Sequence, residues 1–183
     1  MHSEFQKLGS EELGRKSIEE YKESPKMPIV VVLDNVRSAN NVGSVFRTSD
    51  AFLVAQVYLC GITATPPNKD IQKTALGAQL SVPWAYAQST VVQVRELKQQ
   101  GYRIIAVEQA QGSIFLQHFK LQAEEKIALV MGNEVFGVSH EVMAECDACI
   151  EIPQFGTKHS FNVAVTFGMV MWEICKTAPL FQK

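Results

Sequence analysis

Three short stretches carry polar side chains that the hydrophobic pattern around them does not require. In "NNVGSVFRTSDAF", residues 40–52, a helical projection puts Val42, Val45, Phe46, Ser49, Phe52 and Leu53 on one side. Asn40, Gly43, Ser44, Arg47 and Ala51 fall on the other. A solvated helix face would carry Lys and Glu, whereas Gly, Ser and Ala around a single Arg let a second backbone or a ligand come close. In "MGNEVFGVS", residues 131–139, Gly132 and Gly137 bracket a lone carboxylate, Glu134. In "IPQFGTKHSFN", residues 152–162, Ser160 and Asn162 precede a long apolar helical pattern. Each stretch also has a structural reading: Asn40 or Asn41 and Ser160 can cap helices, and the glycines can serve turns with positive φ.

The elements that would position these residues alternate in type. Apolar, β-branched runs at 29–35, 55–62, 102–109, 126–134 and 148–154 read as strands, with a short one at 82–87. Helical patterns fall at 40–52, 69–78, 90–101, 139–146 and 161–176. This order predicts an α/β fold, a mostly parallel sheet covered by helices on both faces. Ligands of such sheets gather beyond the carboxyl ends of the strands. All three stretches are expected there, bringing Arg, Glu, Ser and Asn to one place. Residues 1–28, rich in Glu, Lys and Ser, read as an arm with a helix around Glu11 to Lys22 followed by a linker.

Composition removes several classes of function. The 183 residues suit one domain, and with 46 % hydrophobic residues, no long uninterrupted apolar run and no secretory leader, the chain is expected to be cytoplasmic and free of membrane contact. Four cysteines, Cys60, Cys146, Cys149 and Cys175, are too scattered for a disulfide framework and are expected as buried thiols. No metal site is expected: Cys146-x-x-Cys149 has no second pair, and His2, His118, His140 and His159 lack ligand spacing. Dinucleotide, nucleoside-triphosphate and serine-hydrolase signatures are absent. A net charge of −2 argues against a protein that coats nucleic acid but leaves room for a local basic patch.

Together the three stretches resemble the motifs of the SpoU, or tRNA/rRNA ribose methyltransferase, branch of the trefoil-knotted RNA methyltransferases. N-x-G-x-x-x-R stands as Asn41 to Arg47, and G-x-E-x-x-G as Gly132 to Gly137. The Ile-Pro pair followed by Ser-Leu-Asn-Val stands as Ile152-Pro153 and Ser160-Phe161-Asn162-Val163, with Phe161 replacing Leu. The resemblance covers about residues 29–176. It implies a deep C-terminal trefoil knot within a methyltransferase domain of residues 29–183, an exception to the rule against threading. It further implies S-adenosyl-L-methionine held by the loops around Val107, Gly132, Ile152, Ser160 and Phe161, a homodimer with the active site near its interface, and RNA as substrate.

In such an enzyme a ribose 2′-hydroxyl must lose its proton as it attacks in line. Arg47, with its charged guanidinium, would grip the neighbouring phosphate and stabilise alkoxide charge, Ser160 and Asn162 would position the ribose or the Arg47 side chain, and Glu134 would orient Asn or Arg groups such as Asn41 or Arg47. His159 stands where many relatives carry Glu. Lys7, Arg15, Lys16, Lys22, Lys26, Arg37, Lys69, Lys73 and Lys158 are candidate phosphate contacts. The expected substrate is tRNA ahead of rRNA; the alternative is a non-catalytic member that binds RNA or S-adenosylmethionine. The last helix is apolar nearly all round, so Met169 or Trp172 is expected near a contact between subunits.

Overall fold

The computed structural model describes residues 6–9, 12–122 and 125–176. Within them lie strands β1 (Met27–Asp34), β2 (Val54–Cys60), β3 (Trp84–Ala87), β4 (Arg103–Val107), β5 (Ile114–Phe115), β6 (Ile127–Met131) and β7 (Ala148–Glu151). They form one sheet in the order β3-β2-β1-β6-β4-β7-β5, and each pairing between them is parallel. The central strands β1, β4 and β6 are almost wholly buried, which is why they read as continuous apolar runs.

Alternate residues of these strands feed two cores, one on each face of the sheet. Ile29, Val31 and Leu33 join Ile105, Ile127 and Leu129 in the larger core. It is covered by α2 (Ala39–Ala51), α3 (Lys69–Ala75) and α7 (Val163–Cys175), through Val42, Val45, Phe46, Ile71, Phe167 and Met171. Val30, Val32, Ile104 and Val130 face the smaller core under α5 (Thr90–Gln99) and α6 (His140–Met143), which add Val94, Leu97 and Val142. Helices therefore cover both faces, and burial of each Val, Leu or Ile side chain contributes about 1.5–3 kcal/mol.

The structure departs from the sequence reading in several places. The first helix, α1, spans only Ile18–Glu23, started by a capping box between Ser17 and Glu20; Glu11 lies outside the described residues. It is not detached: Tyr21 is buried in the larger core, and the Lys26 ammonium donates to the carbonyls of Tyr21 and Ser24 and sits 4.2 Å from the Tyr21 ring centre. Lys26 is thus committed to joining α1 to β1. The 69–78 helical pattern splits into α3 and α4 (Ala78–Ser81) because Leu76 and Gly77 both adopt positive φ. The two-residue β5, followed by a 3-10 turn at Leu116–His118, is too short to leave a periodic signal.

The small face of α2 is used, as its residues suggested, for the close approach of a second backbone. Gly43 is buried, and a Cβ there would lie 2.1 Å from Thr74 Oγ1 and 2.4 Å from the Ile71 carbonyl. That face accepts the backbone of α3, so close helix packing accounts for the glycine.

Candidate active site at the carboxyl ends of adjacent strands

Val107 pairs in register with Met131 on one side and Ile150 on the other, so β6, β4 and β7 end at the same level. A cavity of about 550 Å³ opens there, within the range usual for small-molecule sites. Val107, Gly132, Ile152, Ser160 and Phe161, the five residues the resemblance assigned to a cofactor, all line it. So do Glu134, Asn162 and His159, together with Glu108 and Glu151.

The loop 132–138 forms one wall and is held by its own backbone. Asn133 and Gly137 exchange two N–H to carbonyl bonds of 2.9 Å, and a Cβ on Gly132 would lie 2.2 Å from Gly137 C and Val138 N. Gly137 has φ 68° and leaves no room for a side chain beside Glu108, whose Oε2 accepts from Val138 N at 3.0 Å. Asn133 locks the turn from within: its Oδ1 accepts from the amides of Val135 and Phe136 at 2.9 and 3.1 Å, and its Nδ2 donates to the Asn35 carbonyl at 2.7 Å.

From this wall Glu134 reaches the start of α2. Its carboxylate accepts from Arg37 N at 2.8 Å, Ser38 N at 3.0 Å and Asn41 Nδ2 at 2.9 Å. Burial pushes its pKa up, but the hydrogen bonds from Arg37, Asn41, its own amide and Ser38 outweigh this and hold it below the usual glutamate value. Glu134 is therefore ionised at neutral pH with its lone pairs in use, which suits an orienting group more than a base. Asn41 Oδ1 in turn accepts from Asn162 Nδ2 at 3.0 Å, so one chain of hydrogen bonds joins all three motif stretches.

The caps are not those expected. Ser38, not Asn40 or Asn41, caps α2 by accepting from Asn41 N. Asn162, not Ser160, caps α7, its Oδ1 accepting from Ala164 N and Val165 N at 2.9 and 3.3 Å. That leaves Ser160 exposed at the cavity wall, while the His159 carbonyl accepts from Gln109 Nε2 at 2.6 Å. Arg47 stands apart. It is exposed on α2, does not line the cavity, and its guanidinium makes no hydrogen bond or ion pair to another described residue.

Sequence reasoning missed a second hub next to this one. Asp34, buried at the end of β1, accepts at Oδ1 from Thr90 Oγ1 (2.6 Å) and Asn35 Nδ2 (2.8 Å) and at Oδ2 from Ser139 N (2.9 Å). The signal was a carboxylate closing an apolar strand, and Glu108 after β4 repeats it. Cys146 and Cys149 are only half-buried, against expectation, and donate separately to the carbonyls of Val142 and Glu108. Burial pushes the Cys146 thiol up to about 11 and those of Cys60 and Cys175 to about 12, so all three are protonated and poor nucleophiles at neutral pH. Among the described residues there is no cluster of His, Cys, Asp or Glu able to hold a metal ion, and no helix long and apolar enough to cross a membrane.

Comparison with known proteins agrees with this geometry. The chain is 35% identical over 146 residues to the 23S rRNA (guanosine-2′-O-)-methyltransferase RlmB of Neisseria meningitidis serogroup B, covering 80% of this chain and 57% of that protein. It superimposes on the A. aeolicus TrmH/SpoU tRNA modifying enzyme with a TM-score of 0.75 at 28% identity, covering 85% of this chain and 78% of the other. On the AdoMet-bound rRNA methyltransferase of Sinorhizobium meliloti the TM-score is 0.77 at 28% identity, with 90% and 62% covered. The chain thus spans under two thirds of the length of the curated relatives it matches. The SpoU rRNA Methylase family matches residues 28–172, and the chain belongs to that family.

Proposed function

We propose that this chain is a cytoplasmic, S-adenosyl-L-methionine-dependent RNA 2′-O-ribose methyltransferase that acts on tRNA ahead of rRNA and works as a homodimer. The observation that carries the reading is the Glu134–Asn41–Asn162 chain, which ties the three motif stretches together beside one cavity. The cavity fits the cofactor chemically: Val107, Ile150, Ile152 and Phe161 offer apolar surface to a purine ring. Glu108, Glu134 and Glu151, with no Lys or Arg in the wall, suit a sulfonium and an ammonium. When bound, S-adenosylmethionine supplies an electrophilic methyl group. Glu134 fixes Asn41 and the last two amides of the loop before α2, Asn162 and Ser160 position the ribose, and Arg47 holds the neighbouring phosphate and stabilises the charge left on oxygen.

The dimer is supported by α7. Phe167, Val170, Met171 and Ile174 are buried, yet Val165 and Trp172 remain 54% and 60% exposed, with half-buried Met169 between them on the same stripe. A second copy covering that stripe would also bring a surface toward α2, which packs on α7 and carries Arg47. The deep trefoil knot belongs to the same reading and is supported by β7 entering the sheet between β4 and β5 before its following loop lines the cavity. Preference for tRNA is supported by the 78% of the A. aeolicus tRNA modifying enzyme that the chain spans. Residues 1–28 are read as an arm fastened by Tyr21, with exposed Lys7, Arg15 and Lys16 available to phosphates, and residues 29–183 as the methyltransferase domain. The test is incubation of the purified protein and methyl-labelled cofactor with total RNA from cells lacking it, followed by nucleoside mapping. Label on a ribose 2′-oxygen of tRNA is expected, and no incorporation into any RNA refutes the reading.

A further inference from the structure

Beside the cavity lies a second hollow of about 420 Å³, and the two share Asn133, Phe136 and Gly137. Its other walls are Asp34, Asn35, Arg37, Ile62 and Ser139, at the ends of β1 and β2 and the start of α6. Two of its apolar residues face water: Phe136 is 84% exposed and Ile62 68%. The backbone of Phe136 is ordered, because Asn133 Oδ1 accepts from its amide at 3.1 Å inside the turn closed by Asn133 and Gly137. A large ring presented to water by an ordered turn is an unfavourable arrangement for the free protein, and contact with a partner surface reverses it.

The polar side chains of the hollow are committed, except those of Arg37 and Ser139. Asp34 accepts from Thr90, Asn35 and the Ser139 amide, and Asn35 Oδ1 accepts from Ile62 N at 3.2 Å. Asn133 is spent on its own turn and on the Asn35 carbonyl. The Arg37 amide is tied to Glu134, but its exposed guanidinium makes no hydrogen bond or ion pair to another described residue, and the Ser139 hydroxyl caps nothing. An exposed aromatic face, an aliphatic wall and a free cation are the combination that takes a nucleotide, base on the ring and phosphate on the arginine.

We propose that this hollow seats the base of the RNA nucleotide whose ribose is methylated, stacked on Phe136 against Ile62, with Arg37 on the adjoining phosphate. The inference rests on the methyltransferase reading, since the shared wall is what would bring that ribose to the cavity. Because Asp34, Asn35 and Asn133 are taken up by hydrogen bonds within the fold, the base is held chiefly by its face, with the Ser139 hydroxyl the floor side chain left to meet an edge.

The test compares Phe136→Ala, Phe136→Leu, Phe136→Tyr, Arg37→Gln and Ile62→Asp in the full chain. Each is scored for binding of a fluorescein-labelled, mixed-sequence single-stranded oligoribonucleotide, for S-adenosylmethionine affinity by calorimetry, and for KM and kcat of methyl transfer to cellular RNA. Ile62 and Arg37 line only the hollow, so their variants keep wild-type cofactor affinity. Loss of the ring is expected to weaken RNA binding on the order of tenfold, with Tyr restoring it and Leu failing to. Ile62→Asp raises KM more than it lowers kcat, and Arg37→Gln lowers the dependence of RNA affinity on salt. Equal rescue by Leu and Tyr, or wild-type RNA binding and KM in Ile62→Asp, overturns the proposal while wild-type methyl transfer leaves the enzyme reading standing. Failure of the wild-type protein to bind the oligoribonucleotide overturns the proposal, and failure to methylate any RNA refutes the reading beneath it.

Discussion

Replacing Glu134 probes the centre of the site, because its carboxylate is the acceptor for three donors at 2.8–3.0 Å. Hydrogen bonds to charged groups contribute about 1.5–3 kcal/mol each when buried, and a buried donor stripped of its acceptor costs about 1–3 kcal/mol. Glu134 is half-buried, so water takes over part of that role. Glu134→Ala should therefore lower the unfolding free energy by about 2–3 kcal/mol, well short of three full bonds. Glu134→Gln keeps one acceptor oxygen but turns an amide toward a donor, and about 1–2 kcal/mol is expected. Both are read from urea denaturation with an unchanged slope against denaturant. The pH dependence has a definite sign. The folded-state pKa lies below the ordinary glutamate value, so the stabilisation is complete above that value and is lost as pH falls through the folded pKa. The gap between wild type and Glu134→Gln should accordingly be full at neutral pH and close in acid. Losses under about 0.5 kcal/mol for both variants, or a gap independent of pH, would refute the view that this carboxylate organises the loop.

Arg47→Ala should leave stability within about 0.5 kcal/mol and cofactor affinity unchanged, since the side chain packs against nothing essential, yet reduce methyl transfer by about a hundredfold or more in single-turnover assays. Retained turnover would remove Arg47 from the chemistry. Gly43→Ala should cost about 1–3 kcal/mol by forcing α2 from α3, measurable as a lower thermal midpoint; a neutral effect would contradict the close approach at Thr74 and Ile71. Trp172→Glu should give a folded monomer by light scattering and circular dichroism where the wild type is a dimer, and a wild-type protein with the mass of one chain would sink the dimer itself.

Much of the fold was legible because its signals are local and repeated. Strands buried on both faces have to be apolar throughout, and the runs at 29–33 and 127–131 announce a covered parallel sheet before any contact is known. The cavity wall was legible for a related reason: strands that end at one level deliver their following loops to one place. What escaped was contact between distant segments. Nothing near Gly43 in sequence signals that Thr74 and Ile71 will lie against it, and nothing near Asn133 signals the Asn35 carbonyl. Tyr21 likewise reads as one aromatic in a polar arm until the core closes over it.

The helix caps expose a subtler limit. Capping and function were weighed as alternatives for Asn41 and Ser160, but a side chain with both an acceptor and a donor can serve both ends at once. Asn162 uses Oδ1 to cap α7 and Nδ2 to hold Asn41; Asn41 uses Oδ1 for that bond and Nδ2 for Glu134. Serine at position 162 could still cap, but one short hydroxyl could not also span to Asn41, and aspartate could cap but offers no donor. The chemistry of the amide therefore selects asparagine at both places, and the bond that starts the last helix is made by the same residue that carries the loop geometry into the cavity. Arg47 has no such double duty: it is exposed on α2, and its guanidinium makes no hydrogen bond or ion pair to another described residue.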